Sequence, residues 1–243
     1  MRVIVASDVD RMVISGRNDG QRGRFWIGKD GVKGWSGTPA VREGVTEAKG
    51  VDGDFWPPSM TQGSRTVTID AVAVGATTME LARLLDRVDD LAGRRLTVTV
   101  EDAHGARTAT GYMSADPDPT VYMWETRAHF ELVITCPDPR KYGPWVAYEG
   151  GGTVANHGNA SSWPRVHAEG DPLTRLTLSC GSQVVEWSGS ADSLDLDLSD
   201  LSVATGTLSQ DNAFQVPPGG ARVTVSTAGT SATATVYGRD AWR

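Results

Sequence analysis

Residues that could carry chemistry are few in this 243-residue chain, and their spacing does not assemble a site. The four histidines, His104, His129, His157 and His167, are scattered, with no HExxH repeat to put two imidazoles on one helix face for zinc. Gly34-Trp35-Ser36-Gly37 comes nearest to a nucleophile elbow, but its second glycine is one place early and no strand-to-helix turn surrounds it. Asp8/Asp10 and Asp116-Pro117-Asp118-Pro119 contain the two carboxylates a glycosidase needs. Asp and Pro at such spacing are better explained as turn residues that fix the local backbone. Asp195, Asp197 and Asp200 offer oxygen ligands for calcium. Leu194, Leu196 and Leu198 alternate with them, which marks Asp195 and Asp197 as the solvent side of a strand. No Walker loop and no GxGxxG turn is present. The expectation is a non-enzyme with no catalytic residue, no metal site and no cofactor.

The elements that would position any site follow from periodicity. Thr77 and, three residues on, Glu80 form a capping box, each side chain satisfying a free amide at a helix start. Leu81, Leu84, Leu85, Val88 and Leu91 recur at helical spacing and Gly93 supplies a stop, so one helix is expected, packed by one face on a sheet. Around it the period becomes two. Val67, Ile69 and Ala71 alternate with Thr66, Thr68 and Asp70; Leu96, Val98 and Val100 with Thr97, Thr99 and Glu101; Phe130, Leu132 and Ile134 with His129 and Glu131. His129 is thereby placed on a polar strand face. Residues 1–140 read as a sheet-rich α+β domain carrying one helix.

The segment Asn18–Pro58 differs, being dense in Gly, charge and Trp with weak periodicity. It is expected to be an extended arm, with Trp26, Trp35 and Trp56 as candidate anchors on a neighbouring subunit. Pro137, Pro139 and Pro144 end the preceding strand, and Glu149-Gly150-Gly151-Gly152 follows as a flexible joint. Residues 141–152 are therefore expected to be a linker, and 153–243 a second domain. In that domain short alternating strands recur, around Leu176–Cys180, Leu194–Leu198, Val223–Val225 and Ala232–Val236, with no competing helix. That pattern predicts a β-sandwich or jelly roll, and the fold class as a whole is mostly β.

Composition agrees with an ordinary globular chain, 39% hydrophobic and 22% charged. A formal charge of −7 gives no sign of a nucleic-acid or anionic-membrane partner. Cys136 and Cys180 lie far apart without CxxC spacing, and are expected to be small buried apolar residues. No apolar run approaches the ~20 residues of a membrane span, and the apolar start of MRVIVASDVDRM is too short for a signal peptide. Synthesis and folding in a cytoplasm are expected.

Several stretches resemble a known family. Asn156-His157-Gly158-Asn159-Ala160, then Pro164 and a β pattern to Gly170, resembles the opening of the C-terminal domain of phage distal tail proteins. Phe214-Gln215-Val216-Pro217-Pro218-Gly219 is similar to that family's turn before its last strands, and Tyr237-Gly238-Arg239-Asp240-Ala241-Trp242 to its ending. Cys136–Gly143 resembles the family's domain junction, and Gly16-Arg17-Asn18-Asp19 with Gly23-Arg24 the opening of relatives from siphophages of actinobacteria. Each motif is short, but their order spans nearly the whole chain. The resemblance implies a homohexameric ring at the virion tail tip, in which the first domains form a belt around a channel. It further implies a second domain that is galectin-like or like a carbohydrate-binding module. The implied partners are the tail tube protein, a tail-tip hub or tail-associated protein and the tape measure protein. No membrane is implied, and DNA would meet the protein only in transit. Asn156, Gly158, Asn159, Pro164, Gly170, Pro217, Gly219 and Trp242 would then be structural signature residues. The alternative reading is an adhesion module that binds host-wall carbohydrate.

Overall fold

The computed structural model describes residues 1–16, 24–42, 46–47, 52, 54–56 and 60–243. Contacts divide the chain into two compact units, Met1–Lys141 and Tyr142–Trp242. Strands dominate both, and one α-helix is present among the described residues.

The first unit is built from β1 (Arg2–Ala6), β2 (Arg11–Ser15), β3 (Phe25–Lys33), β4 (Arg65–Val74), α1 (Thr78–Asp89), β5 (Leu96–Asp102), β6 (Gly105–Met113), β7 (Thr120–Tyr122) and β8 (Arg127–Cys136). The sheet runs β7-β8-β4-β3-β2-β1-β5-β6, and β6 pairs back onto β8 through Tyr112–Thr135 and Met113–Ile134. Seven of these strands thus close into a barrel, with β7 as an edge added outside. Among the described residues the one parallel pair in the closure is β2–β3, which registers Ile14 with Phe25. Alternation sends Val67, Ile69 and Ala71, Leu96, Val98 and Val100, and Phe130, Leu132 and Ile134 inward, where all are buried. Phe25 and Phe130 meet edge to face, with centroids 6.2 Å apart. Burying each such side chain contributes roughly 1.5–3 kcal/mol, so Phe130→Ala would remove more than any single surface contact supplies.

The helix begins where its cap requires. Thr77 Oγ1 accepts from the Glu80 amide at 3.2 Å, and Glu80 Oε2 accepts from the Ala76 amide at 2.7 Å. Leu81, Leu84 and Val88 bury one face in the same core as the strands. Gly93, at φ +73°, then turns the chain towards β5.

The second unit comprises β9 (Val146–Glu149), β10 (Gly151–Val154), β11 (Arg165–Cys180), β12 (Gln183–Asp197), β13 (Thr207–Asp211), β14 (Ala221–Gly229) and β15 (Thr233–Gly238). Two strands are much longer than the short repeats expected. The first half of β11 pairs with β15 and the second half with β14, the register shifting between Glu169 and Leu173. One bent strand therefore serves both layers of a sandwich, and Gly170 sits at the bend. The core between them holds Trp187, Leu176, Leu178, Leu196, Phe214, Val223 and Val236.

Residues 141–152 do not form a linker. Val146–Glu149 registers with Thr235–Gly238, and Gly151–Val154 with Ala221–Thr224. Gly150, Gly151 and Gly152 all take positive φ. The glycines are there to turn the chain tightly between two paired strands, which is conformational permission rather than looseness.

Candidate assembly interface

The three tryptophans of the expected arm separate in space. Trp56 is 82% exposed and Trp26, on β3, is 40% exposed. Trp35 is 3% exposed and belongs to the first unit's own core, so it cannot anchor a neighbour. The segment is not an extended arm throughout. Phe25–Lys33 is the barrel strand β3, and Val41–Arg42 pairs with Thr61–Gln62 and Thr46–Glu47 with Asp54–Phe55, because the chain returns to the ladder wherever partners are free. Residues 18–23, 43–45, 48–51, 53 and 57–58 lie outside the described residues. Trp35 is held inward by Arg65, the first residue of β4, which is itself buried. The Arg65 guanidinium donates to the carbonyls of Gly34 (2.7 Å), Trp35 (3.1 Å), Gly37 (2.7 Å) and Pro139 (2.8 Å). These charge-assisted bonds replace the solvent that the cation loses. Lys141 Nζ donates to the Trp35 carbonyl at 3.0 Å, and burial followed by Arg65 and Arg107 pulls its pKa down to about 8. Gly34-Trp35-Ser36-Gly37 is thus a turn gathered around a cation, with Gly34 at φ +76° packed against the Thr66 carbonyl.

Asp70 is a second buried polar group that alternation assigned to solvent. It is covered by an irregularity in β3, whose register onto β4 shifts between Ile27 and Val32. The Asp30 amide donates to Asp70, and His129 Nε2 lies 2.6 Å from its other oxygen. His129 is half exposed, as a polar strand face predicts, but its ring tip is committed to a buried carboxylate.

The most exposed aromatic residue of the first unit lies elsewhere. β7 and β8 form a hairpin that registers Tyr122 with Arg127, and its tip carries Met123, Trp124 and Glu125. Trp124 is 93% exposed, with Val121, Tyr122 and Met123 exposed beside it. Met123, Trp124 and Glu125 all have φ between 52° and 58°. Three successive left-handed residues without glycine cost ~1–2 kcal/mol each, so this turn is held against local preference. At the other end of β8 lies a groove of about 610 Å³, lined by Gly93, Arg94, Arg95, Gly111, Met113 and Pro137 among others. Gly111 on its lining packs tightly on β8, since a Cβ there would come within 2.4 Å of the Thr135 carbonyl.

In the second unit, four of the eight signature residues converge around Asn156. Its Nδ2 donates to the carbonyls of Ala160 (2.8 Å) and Val216 (3.0 Å). Its Oδ1 accepts from the amides of Gly158 and Ala241, both at 3.1 Å. Its own carbonyl accepts from the Gly219 amide at 2.8 Å, and the Pro217 carbonyl accepts from Gly220 in the same turn. Gly158 lies so close to Ala241 that a Cβ would stand 1.8 Å from its carbonyl oxygen. One buried amide thereby ties together the loop after β10, the Pro-Gly turn and the chain's last residues. Asn159 follows Gly158 in this loop, and Trp242 packs its ring near Gly143. Pro164 and Gly170 are apart from the cluster, the former just before β11, with its carbonyl accepting from Leu198, and the latter at the β11 bend.

The remaining carboxylates are occupied locally. Asp116 accepts from the Asp118 amide, Asp197 from the Ser199 amide and hydroxyl, and Asp200 from those of Ser202, all turn contacts. Asp10 takes a two-pronged bond from Arg87 at 2.9 and 3.0 Å, which holds its carboxyl below the ordinary range. A shallow polar hollow of about 370 Å³ lies on the second unit, lined by Arg165, His167, Asp195, Asp197 and Tyr237 among others. His167 bridges Glu169 (2.9 Å) and Asp195 (2.7 Å), and these two bonds raise its pKa.

The fold matches solved structures of phage tail hub and baseplate proteins. Over 98% of this chain and 98% of the other, it superposes on the crystal structure of the Dit protein of phage SPP1, presented as a paradigm of the hub adsorption apparatus in phages infecting Gram-positive bacteria, with a TM-score of 0.64 at 18% identity. The baseplate of phage p2 in its activated conformation matches over the same shares, with TM-scores of 0.55 in its strontium form and 0.53 in its calcium form, each at 10% identity. No family model matches the chain, and no curated protein does.

Proposed function

We propose that the chain is a siphophage distal tail protein, a structural subunit whose first unit closes a hexameric belt at the tail tip. The observation that carries this is the end-to-end fold match with the SPP1 Dit protein, in which both units are matched in a single alignment. In this reading the ring joins the tail tube protein to tail-tip hub proteins, with the tape measure protein also adjoining it, and is assembled in the host cytoplasm. Trp26 and Trp56 are its exposed arm residues. The signature residues around Asn156 stabilise the second unit and bind no ligand, and the protein has no catalytic role. Native mass measurement of the purified protein tests this: six subunits are expected, and a monomer at every concentration would sink the ring.

A second reading rests on the polar hollow of the second unit. Carboxylates, Arg165 and Tyr237 around an open surface are groups that hydrogen-bond sugar hydroxyls, which fits an adhesion module for host-wall carbohydrate. Glycan-array binding by the full chain, abolished in Arg165→Ala with His167→Ala, would favour it over a purely structural role.

A further inference from the structure

We infer that the Thr120–Arg127 hairpin is an assembly peg, and that its socket is the groove between Gly93–Arg95, Gly111–Met113 and Pro137 on a second copy of this chain. The inference rests on the ring reading above and specifies a contact within it. Trp124 and Met123 form an apolar tip with no covering residue, on an edge strand whose outer side has no strand partner among the described residues. A tryptophan brings ~150–250 Å² of surface to a contact and is the residue type that most often dominates one. The groove is mostly apolar, and its volume of about 610 Å³ lies within the ~300–1,000 Å³ range of pockets that enclose an inserted group.

Charge selects the occupant. Glu125 stands beside Trp124 at the tip, and Arg95 stands on the groove wall; among the described residues neither has an ionic partner. The other charged residues of the wall are already engaged, Arg94 with Asp8 and Asp90, and Asp138 with Arg140. A tip carrying one acid thus meets a wall offering one uncommitted base, and both belong to the same sequence. A copy cannot fill its own socket. The hairpin lies at the first residue of β8 and the groove beyond its last, about 33 Å away for ten extended residues. The contact is therefore heterologous, one patch meeting a different patch, which is the geometry that closes a ring.

The experiment is native mass measurement and light scattering on the full-length chain, wild type beside variants checked for folding by circular dichroism. Met123→Ser with Trp124→Ala is expected to fall from the wild-type assembly to a folded monomer. Glu125→Arg and Arg95→Glu should each weaken assembly at least tenfold in concentration, and the double variant, or a one-to-one mixture of the two singles, should restore it. If the wild type is itself monomeric at every concentration, the ring reading and the peg both fail. If the wild type assembles and the Met123/Trp124 variant assembles equally well, the peg alone is overturned. Normal assembly with failure only to enter virions would also overturn it, by giving the hairpin to a protein of different sequence.

Discussion

Replacing Asn156 by alanine removes a side chain that meets four backbone groups in the interior of the second unit. The Val216 carbonyl retains the Ser162 amide as a donor, so its loss is partial. The Ala160 carbonyl and the amides of Gly158 and Ala241 lose the partner Asn156 supplied. A buried polar group left unsatisfied costs about 1–3 kcal/mol, and three such groups with partial local relaxation make the change cost roughly 3–5 kcal/mol. For a unit of about a hundred residues that lowers Tm by roughly 15–30 °C. Asn156→Asp is the sharper test, because shape is kept and only donors are lost. The carboxylate still accepts from Gly158 and Ala241, but now faces two carbonyl oxygens. Protonation gives it back one donor, so the folded state holds this carboxyl above its unfolded pKa. The variant's stability is then greatest below the ordinary carboxylate range and is lost as pH rises through it. Urea denaturation of wild type and both variants at several pH values, followed by circular dichroism and tryptophan fluorescence, measures all of this. A cost under about 1 kcal/mol for Asn156→Ala, or an Asn156→Asp protein that matches wild type at neutral pH, would refute the reasoning.

Other outcomes follow from the first unit. Arg65→Leu should cost about 2–4 kcal/mol in urea denaturation, since hydrogen bonds to a charged donor contribute about 1.5–3 kcal/mol each and only part is offset by not burying a cation; Arg65→Lys, with one compact head for four carbonyls, should recover less than half. Lys141, with its folded pKa lowered to about 8, binds its proton less tightly folded than unfolded. Stability should therefore rise as pH climbs from about 8 towards the unfolded lysine value near ~10.4, and this slope should vanish in Lys141→Met. Burial pushes the Cys136 thiol up to about 11, so Ellman's reagent at pH 8 should label Cys180 readily and Cys136 only as the first unit opens.

The parts legible from residue types were those governed by one repeating rule. Two-residue alternation located β4, β5 and β8, and the Thr77–Glu80 box with its leucine spacing located α1, because these signals depend only on neighbours along the chain. Barrel closure was not legible, since pairing β6 back onto β8 is a fact about strands distant in sequence. The hairpin tip escaped for a different reason. Tyr122-Met123-Trp124-Glu125 contains no Gly, Asn or Pro, so nothing in its composition announces three left-handed residues. The Gly150–Gly152 run misled in the opposite sense, because permissive backbone serves a tight turn between paired strands as readily as a loose joint.

Three buried polar residues share one physical circumstance. Arg65 collects the carbonyls of the Gly34–Gly37 turn, Asp70 takes an amide from the irregular stretch of β3, and Asn156 joins a loop, a turn and the chain's end. In each case regular sheet abuts backbone that has left the ladder, and its orphaned N–H and C=O groups must be paired inside the protein. A carbonyl cluster calls for a donor with several fixed N–H groups, which Arg65 supplies; an amide calls for an acceptor, which Asp70 supplies; a mixture calls for an amide side chain, which Asn156 supplies. The residue type therefore follows from which backbone groups are left over, a quantity no local pattern contains. It also follows that exchanging these residues for one another should fail even where volume is conserved. Trp124 is different in kind. Its turn is closed by Thr126, whose amide and hydroxyl donate to the Met123 carbonyl, yet the Trp124 side chain is left uncovered, so within a single subunit that side chain brings no burial to offset the strain. Contact with another molecule is what would supply that burial, and the socket with Arg95 on its wall is where the same chain offers it.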